Sequence, residues 1–359
     1  MTPPKGRRRL HLAAALDQPS AYDAGSYVDA ARLAERGGLD FVTLGDGFGR
    51  PGPDALAVLA RVASATRRVG LVPTVTTTHT DPVRVQAAVA ALDLVSRGRA
   101  GWRIEVSAAE AEARLFGRHH TASAEELWRE AGEAADMAAR LWDSPEDGAD
   151  IPDGACGRFA DPGRQHPVDC TCSRFRVRGP STGPRPPQGH PVRVVDATGK
   201  PARAVAALHA DVALVRTAHP ARAAAARAEL RASAAAHGRD PDALRVLAAL
   251  DIDLGGGEYA ARPGHGGGGP RPTPRGPLYR GGPVDLAELI AVWHREGTVD
   301  GFHLTPAEPR RDLERLVNGT VPLLQHRGLF RTFYPGSTLR DHLGLRRPAN
   351  RDAVAGGAS

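Results

Sequence analysis

Eight short apolar runs, each followed by a segment of helical periodicity, recur along this chain of 359 residues. Continuous runs of Val, Leu and Ile are typical of strands that are buried on both faces and joined by helical crossovers. We predict strands at 9–16, 40–44, 69–75, 100–106, 192–196, 212–216, 244–254 and 299–304. Helices are predicted after them at 26–36, 54–65, 81–95, 124–142, 201–209, 221–237, 286–296 and 309–325. Eight such units predict a (β/α)8 TIM barrel. A doubly wound sheet is disfavoured because no phosphate-binding glycine loop follows the first strand.

Two segments rich in Gly and Pro interrupt this alternation, at 143–190 after the fourth unit and at 255–282 after the seventh strand. Alternating residues at 174–178 predict a short strand within the first segment. The second holds GHGGGG at 264–269, where a following Pro rather than a helix argues against a dinucleotide site. We expect 255–282 to be mobile, either as a lid over a substrate or as a tolerated loop. One domain is predicted over 1–350, followed by a disordered tail at 351–359.

Composition narrows the possible function classes. The net charge of +6 comes almost entirely from dispersed Arg, which is typical of a solvated surface and disfavours nucleic-acid binding. No run approaches the roughly 18 apolar residues of a membrane span. The cysteines Cys156, Cys170 and Cys172 have neither a disulfide framework nor the paired spacing of a zinc site. The first apolar run ends at Asp17 without a cleavage site, so we expect a cytoplasmic protein.

The carboxyl ends of the strands are where a barrel of this kind carries its functional residues. These positions hold Asp17, Asp46, Thr74, Thr76, Thr77, Thr78, His79, Arg103, Glu105, Ser107, Asp196, Thr198, Gly199, Lys200, Arg216, Asp251, Asp253, His303 and Thr305. The set is rich in hydroxyls and lacks the ligand clusters of a metal site, so no metal is predicted. It suits a flat heterocyclic cofactor that carries a phosphate, because a helix that begins with a hydroxyl, a Gly and a Lys can bind an anion.

Each of these residues also has an ordinary structural interpretation. Asp46 lies between glycines, where a turn acid is common. Thr198 could be only an N-cap, and Arg103 and Glu105 could pair with each other on one strand. The threonines favour strands in any case, and His303 could be a satisfied core histidine.

Several segments resemble the nitrilotriacetate and dibenzothiophene-sulfone monooxygenase branch of the bacterial luciferase-like flavin monooxygenases. They are GLVPTVTTTHTDP at 70–82, RGRAGWRIEVS at 97–107, DGFHL at 300–304, LQHRGLFR at 324–331 and TLRDHLGL at 338–345. The resemblance implies a two-component, FMN-dependent monooxygenase of the same barrel fold. In such enzymes a separate flavin reductase supplies reduced FMN, which reacts with O2 to oxidise a small organic substrate. The resemblance also implies flavin contacts at Asp46, Thr74 and Thr76, and makes a homodimer plausible.

The chain departs from this family at several places, two of which concern the cofactor. Arg103 replaces an Asn, and VDATG at 195–199 replaces a phosphate loop that usually reads Gln-Ala-Gly-x-Ser. The cofactor-binding residues that we predict are Asp46, Thr74, Thr76, Arg103, Ser107, Thr198, Gly199 and Lys200. His79 and His303 are predicted to transfer protons, since His titrates near neutral pH. Two alternatives stay open. One is a hydride-transfer oxidoreductase that uses the deazaflavin coenzyme F420, and the other is a non-catalytic paralogue that binds flavin weakly or not at all and acts as a partner or ligand-binding protein.

Overall fold

A computed structural model describes residues 9–18, 22–49, 51–117, 122–153, 158–173, 175–181, 183–255 and 269–351. The predictions for Cys156, for the glycine run at 264–268 and for the tail at 352–359 lie outside the described residues.

The first half of the chain alternates between strands and helices as predicted. Its elements are β1 (His11–Ala15), α1 (Ala24–Arg36), β2 (Phe41–Leu44), α2 (Ala55–Ala65), β3 (Gly70–Thr76), α3 (Pro82–Val95), β4 (Gly101–Glu105), α4 (Glu110–Leu115) and α5 (Ala124–Asp143). Helix α5 begins with a capping box, in which Ser123 and Glu126 satisfy each other's backbone N–H groups. Helix α4 is an addition to the prediction, because six residues are too few to show a helical period.

The segment at 143–190 forms two antiparallel hairpins rather than irregular chain. They consist of β5 (Asp150–Asp153) with β6 (Arg158–Ala160) and β7 (Val168–Thr171) with β8 (Arg176–Gly179). The alternation at 174–178 corresponds to β8, although Arg174 itself is outside the described residues. Within this segment Cys170 and Cys172 are free thiols.

The second half completes the barrel. Its elements are β9 (Val192–Asp196), α6 (Lys200–His209), β10 (Val212–Val215), α7 (Pro220–Ala236), β11 (Arg245–Asp253), β12 (Arg271–Thr273), β13 (Gly276–Arg280), α8 (Pro283–Arg295), β14 (Gly301–Pro306), α9 (Pro309–Arg315), α10 (Val321–His326) and α11 (Leu339–Leu343). A π-helical turn at Leu316–Thr320 joins α9 to α10. Among the described helices, none combines the length and the apolar character that a membrane crossing requires.

The segment at 255–282 contains regular structure in its second part, and its expected mobility stays a prediction. Strands β12 and β13 form a hairpin, and β13 extends the sheet by pairing in parallel with β11. The Thr273 hydroxyl donates to the Gly276 carbonyl over 2.7 Å, and Arg280 donates to Asp253 on β11 over 3.0 Å. These contacts give the polar hairpin a fixed place beside the barrel.

The eight predicted strands form one closed parallel sheet. Their order is β10-β9-β4-β3-β2-β1-β14-β11, and β10 pairs with β11 to close it. Helices lie between successive strands, which confirms the (β/α)8 barrel. The strands β14 and β1 approach so closely that a Cβ on Gly301 would lie 2.1 Å from the His11 carbonyl oxygen.

Apolar side chains fill the amino-terminal half of the barrel. Phe41, Val72, Val192 and Leu247 pack there with Leu339 of α11, which covers the barrel from below. The interior at the carboxyl end is therefore left to the polar side chains of the strand ends.

A buried ion cluster fixes the C-terminal segment to the barrel floor. Arg331 donates to Asp40 over 2.7 Å and to the Gly38 carbonyl over 2.6 Å, while the His11 ring lies 3.2 Å from the same carboxylate. Burial opposes ionisation of Asp40, but Arg331 and His11 outweigh it and lower the pKa of Asp40 to about 2. The chain near 324–331 thus stabilises the barrel and lies far from its mouth.

Candidate active site

Charged side chains from neighbouring strands line the carboxyl end of the barrel. Arg103 and Glu105 on β4 pair over 3.4 Å, as the sequence allowed. Asp196 at the end of β9 accepts a 2.9 Å hydrogen bond from Arg216, which follows β10. The positive charge of Arg216 also interacts favourably with the carboxylate of Asp251 on β11. The mouth is therefore a mixed ring of acids and guanidinium groups.

The acids of this ring differ in their readiness to hold a proton. Burial raises the pKa of Glu105, against the opposing charge of Arg103. Burial also raises the pKa of Asp251. Burial opposes ionisation of Asp196 as well, but hydrogen bonds from Thr198 and the charge of Arg216 outweigh it and lower its pKa. A carboxyl group with a raised pKa in a cleft is a candidate for proton transfer, so Glu105 and Asp251 join the candidates.

His303 lies beneath this ring. Its side chain is 1% exposed, and its Nε2 lies 2.8 Å from the Thr43 hydroxyl on β2. Burial, with the charges of Arg103 and Arg216, lowers the pKa of His303 to about 3, so the ring is neutral near pH 7. Its Nδ1 has no hydrogen-bond partner among the described residues. Such a histidine is suited to hydrogen bonding, whereas acting as an acid would require a costly buried charge.

An open cavity of about 590 Å³ lies at the carboxyl ends of β2 and β3. Its lining brings together Asp46, Thr74 and Thr76 with Phe48 and Thr80. The Thr74 hydroxyl oxygen is buried and has no partner within the part of the chain that the structure describes. Its register neighbour on β4 is Arg103, whose Nε is likewise buried without a partner.

Asp46 shapes the edge of this cavity through its backbone contacts. Its Oδ1 accepts from the Gly47 N–H over 2.7 Å, and its Oδ2 accepts from the Ala55 N–H over 2.9 Å at the start of α2. The carboxylate thus ties the β2–α2 loop to the helix that follows it.

Ser107 has its hydroxyl engaged within the protein. It donates to Glu112 of α4, and Glu112 in turn accepts from the Gly49 N–H over 3.0 Å. The Ser107 N–H donates to the Thr78 hydroxyl over 3.1 Å. Ser107 and Glu112 therefore join three loops of the mouth, and the predicted contact between Ser107 and a cofactor stays a prediction.

Aromatic rings form a wall beside the cavity. His79 stacks on Phe116 with ring centroids 4.5 Å apart, and Phe48 meets Phe116 edge-on at 4.6 Å. His79 has a φ of 68°, in the left-handed region where a side chain other than glycine is strained. Both phenylalanines are partly exposed, so the wall borders solvent.

The start of α6 differs from its predicted arrangement. Gly199 is the N-cap and no side chain caps the helix, so the interpretation of Thr198 as N-cap is wrong. The Thr198 hydroxyl instead donates to Asp196 over 2.6 Å. Lys200 is the first helical residue and is exposed.

The structure thus brings part of the predicted site together. Asp46, Thr74 and Thr76 share one cavity, and Arg103 adjoins it through β4. The residues that begin α6 belong to another side of the mouth, after β9. Four residues that contact the predicted ones were not themselves predicted, namely Thr43, Phe48, Glu112 and Phe116. Of these, only Thr43 and Phe48 lie near a predicted strand end, where a signal could have been found.

Comparisons with known proteins agree with this fold. The sequence model described as luciferase-like monooxygenase matches residues 9–262. Nitrilotriacetate monooxygenase component A of Aminobacter aminovorans is 31% identical, with 92% of each chain covered. Dibenzothiophene-sulfone monooxygenase of Rhodococcus erythropolis is 30% identical, with 90% of each chain covered. The solved structure of EDTA monooxygenase from a Chelativorans species has a TM-score of 0.81 at 24% identity, covering 95% of this chain and 99% of the other.

Proposed function

This chain belongs to the luciferase-like monooxygenase family, and we propose that it transfers one atom of O2 to a small organic substrate with electrons from a reduced flavin. Reduced FMN from a separate flavin reductase is the supply that the family resemblance implies. The observation that carries the proposal is the shared cavity, which brings Asp46, Thr74 and Thr76 to one place. Its volume of about 590 Å³ lies in the range of small-molecule sites.

The residues around the cavity fit the ring system of a flavin. A buried hydroxyl without a partner costs free energy, which a ligand carbonyl or ring nitrogen recovers by bonding to it. Thr74 presents such a hydroxyl, and Arg103 presents a buried Nε donor next to it. We assign Thr74, Thr76 and Arg103 to the ring, with Asp46 fixing the loop at its edge.

When bound, a reduced flavin supplies the two electrons that O2 activation requires. The chain's own residues orient the ring and control water and protons. Arg103 places a positive charge at the mouth, where it stabilises developing negative charge. Phe48 and Phe116 shield the cavity from water. Burial raises the pKa of Glu105, which makes it a candidate for proton transfer, while neutral His303 acts as a positioning residue through Thr43.

Ligand binding under anaerobic conditions tests this proposal. The purified protein is titrated with reduced FMN, reduced riboflavin and reduced coenzyme F420, and O2 uptake is then followed with a generic flavin reductase. We expect saturable binding of a reduced flavin, and O2 uptake that depends on substrate. Binding of F420 alone would instead identify a hydride-transfer enzyme, and binding of none of the three would remove the proposal.

A pair of variants locates the site. Asp46→Ala removes two backbone hydrogen bonds at the cavity edge, so we expect flavin affinity to fall about tenfold. Asp240→Ala is the matched control, because Asp240 is exposed and caps the short turn before β11 through the Asp242 N–H, at the amino end of the strands and away from the cavity. Equal losses in both variants would place the flavin elsewhere.

A further inference from the structure

Asp196 makes three contacts in the loop at 195–199, where the family resemblance implies a site for the flavin phosphate. Its Oδ1 accepts from the Thr198 N–H over 3.2 Å and from the Thr198 hydroxyl over 2.6 Å. Its Oδ2 accepts from Arg216 Nε over 2.9 Å. The Thr198 hydroxyl oxygen also accepts from the Arg216 N–H over 3.0 Å. Three donors of this loop, the Thr198 N–H, the Thr198 hydroxyl and Arg216 Nε, are therefore already bound to a carboxylate of the chain itself.

Helix α6, which follows this loop, offers few other N–H donors to an anion. Pro201 is the second residue of α6 and has no N–H to donate. Gly199 caps the helix without a side-chain hydrogen bond, and Lys200 is exposed to solvent. The anion-binding capacity of an ordinary helix N-terminus is thus reduced by the sequence itself.

The negative charge of Asp196 also disfavours a phosphate at this loop. Asp196 stays ionised because Thr198 and Arg216 lower its pKa against the effect of burial. The positive charge of the Arg216 guanidinium group is compensated by the Asp196 carboxylate, so the pair offers little net attraction to a second anion. A flavin phosphate carries between one and two negative charges near neutral pH, and placing it beside a fixed carboxylate is unfavourable.

We propose that Asp196 acts as an internal substitute for the flavin phosphate and makes this chain bind riboflavin at least as tightly as FMN. This inference rests on the proposed function, since it assumes that the flavin ring occupies the mouth. It makes Asp196 a specificity-determining residue: the ring is held by β3 and β4, whereas the phosphate is excluded at β9.

The test is the ratio of the dissociation constants of reduced FMN and reduced riboflavin, measured anaerobically by fluorescence titration. For the unmodified chain we expect a ratio of one or more. Asp196→Asn keeps the shape but removes the charge, so FMN should bind at least tenfold more tightly while riboflavin affinity changes less than about threefold. Asp253→Asn removes a strand-end carboxylate that pairs with Arg280 and Arg311 rather than with Thr198 or Arg216, and should leave the ratio unchanged.

A second variant keeps the inference testable if Asp196→Asn folds poorly. Thr198→Val removes a hydroxyl that the structure assigns to Asp196 and should leave FMN affinity unchanged, whereas a phosphate-binding hydroxyl would show a loss of about tenfold. FMN binding tighter than riboflavin in the unmodified chain, a ratio below one outside the error of the titration, would overturn the inference and leave the proposed function intact. Binding of neither flavin would overturn both.

Discussion

Replacing Thr74 by Val should stabilise the free protein and weaken flavin binding. The Thr74 hydroxyl is buried without a partner, and an unsatisfied hydroxyl costs about 1–3 kcal/mol. Val has nearly the same shape and suits a strand, so Thr74→Val should gain about 1 kcal/mol in the free energy of unfolding. Unfolding entropy of about 2.1 cal/mol/K per residue over 359 residues makes this about 1.3 °C in Tm. Loss of one hydrogen bond to the flavin should raise Kd about tenfold.

Thr43→Val is the matched control, because the same change has the opposite sign there. The Thr43 hydroxyl lies 2.8 Å from Nε2 of buried His303, and its removal leaves the imidazole without that partner. We expect a loss of about 1–3 kcal/mol. Urea unfolding and calorimetry of the ligand-free proteins measure both changes. If Thr74→Val destabilises the protein as much as Thr43→Val does, the Thr74 hydroxyl has a partner in the protein and the reasoning is refuted.

Three further predictions concern stability. Burial lowers the pKa of His303 to about 3, so on acidification this histidine takes up a proton in the unfolded chain at a higher pH than in the folded protein. The free energy of unfolding should therefore fall by about 2 kcal/mol between about pH 7 and pH 5. Urea unfolding should show a smaller fall for His303→Gln. Arg331→Met leaves the Asp40 carboxylate with the His11 ring and the Leu12 N–H but without its guanidinium partner, and should cost about 3 kcal/mol by urea unfolding; no loss would contradict the pairing. Gly301→Ala places a Cβ against the backbone of β1 and should cost more than about 3 kcal/mol or prevent soluble expression.

The barrel could be predicted because its strands are buried on both faces. Each strand is a continuous apolar run that stands out from the Ala-rich helices, and parallel pairing follows from the helical crossovers. Short elements have no such signal. Helix α4 has too few residues for a helical period, and the hairpin of β12 and β13 is held by hydrogen bonds from Thr273 and Arg280 within a polar sequence.

The location of the site could be predicted more readily than its contacts. Strand ends identify Asp46, Thr74 and Arg103 as residues of the mouth, because the barrel topology fixes where strands end. The partners of these residues depend on loop geometry, which spacing does not encode. Thr198 is an example. Its hydroxyl and its position before a helix indicate an N-cap, but the hydroxyl donates instead to the Asp196 carboxylate two residues earlier.

A crystal structure of the protein soaked anaerobically with chemically reduced riboflavin tests the central claim most directly. We expect the tricyclic ring in the cavity at the ends of β2 and β3, with one of its polar atoms within about 3.2 Å of the Thr74 hydroxyl. A ring bound at any other face of the barrel, or a cavity that stays empty at saturating ligand, would contradict the account.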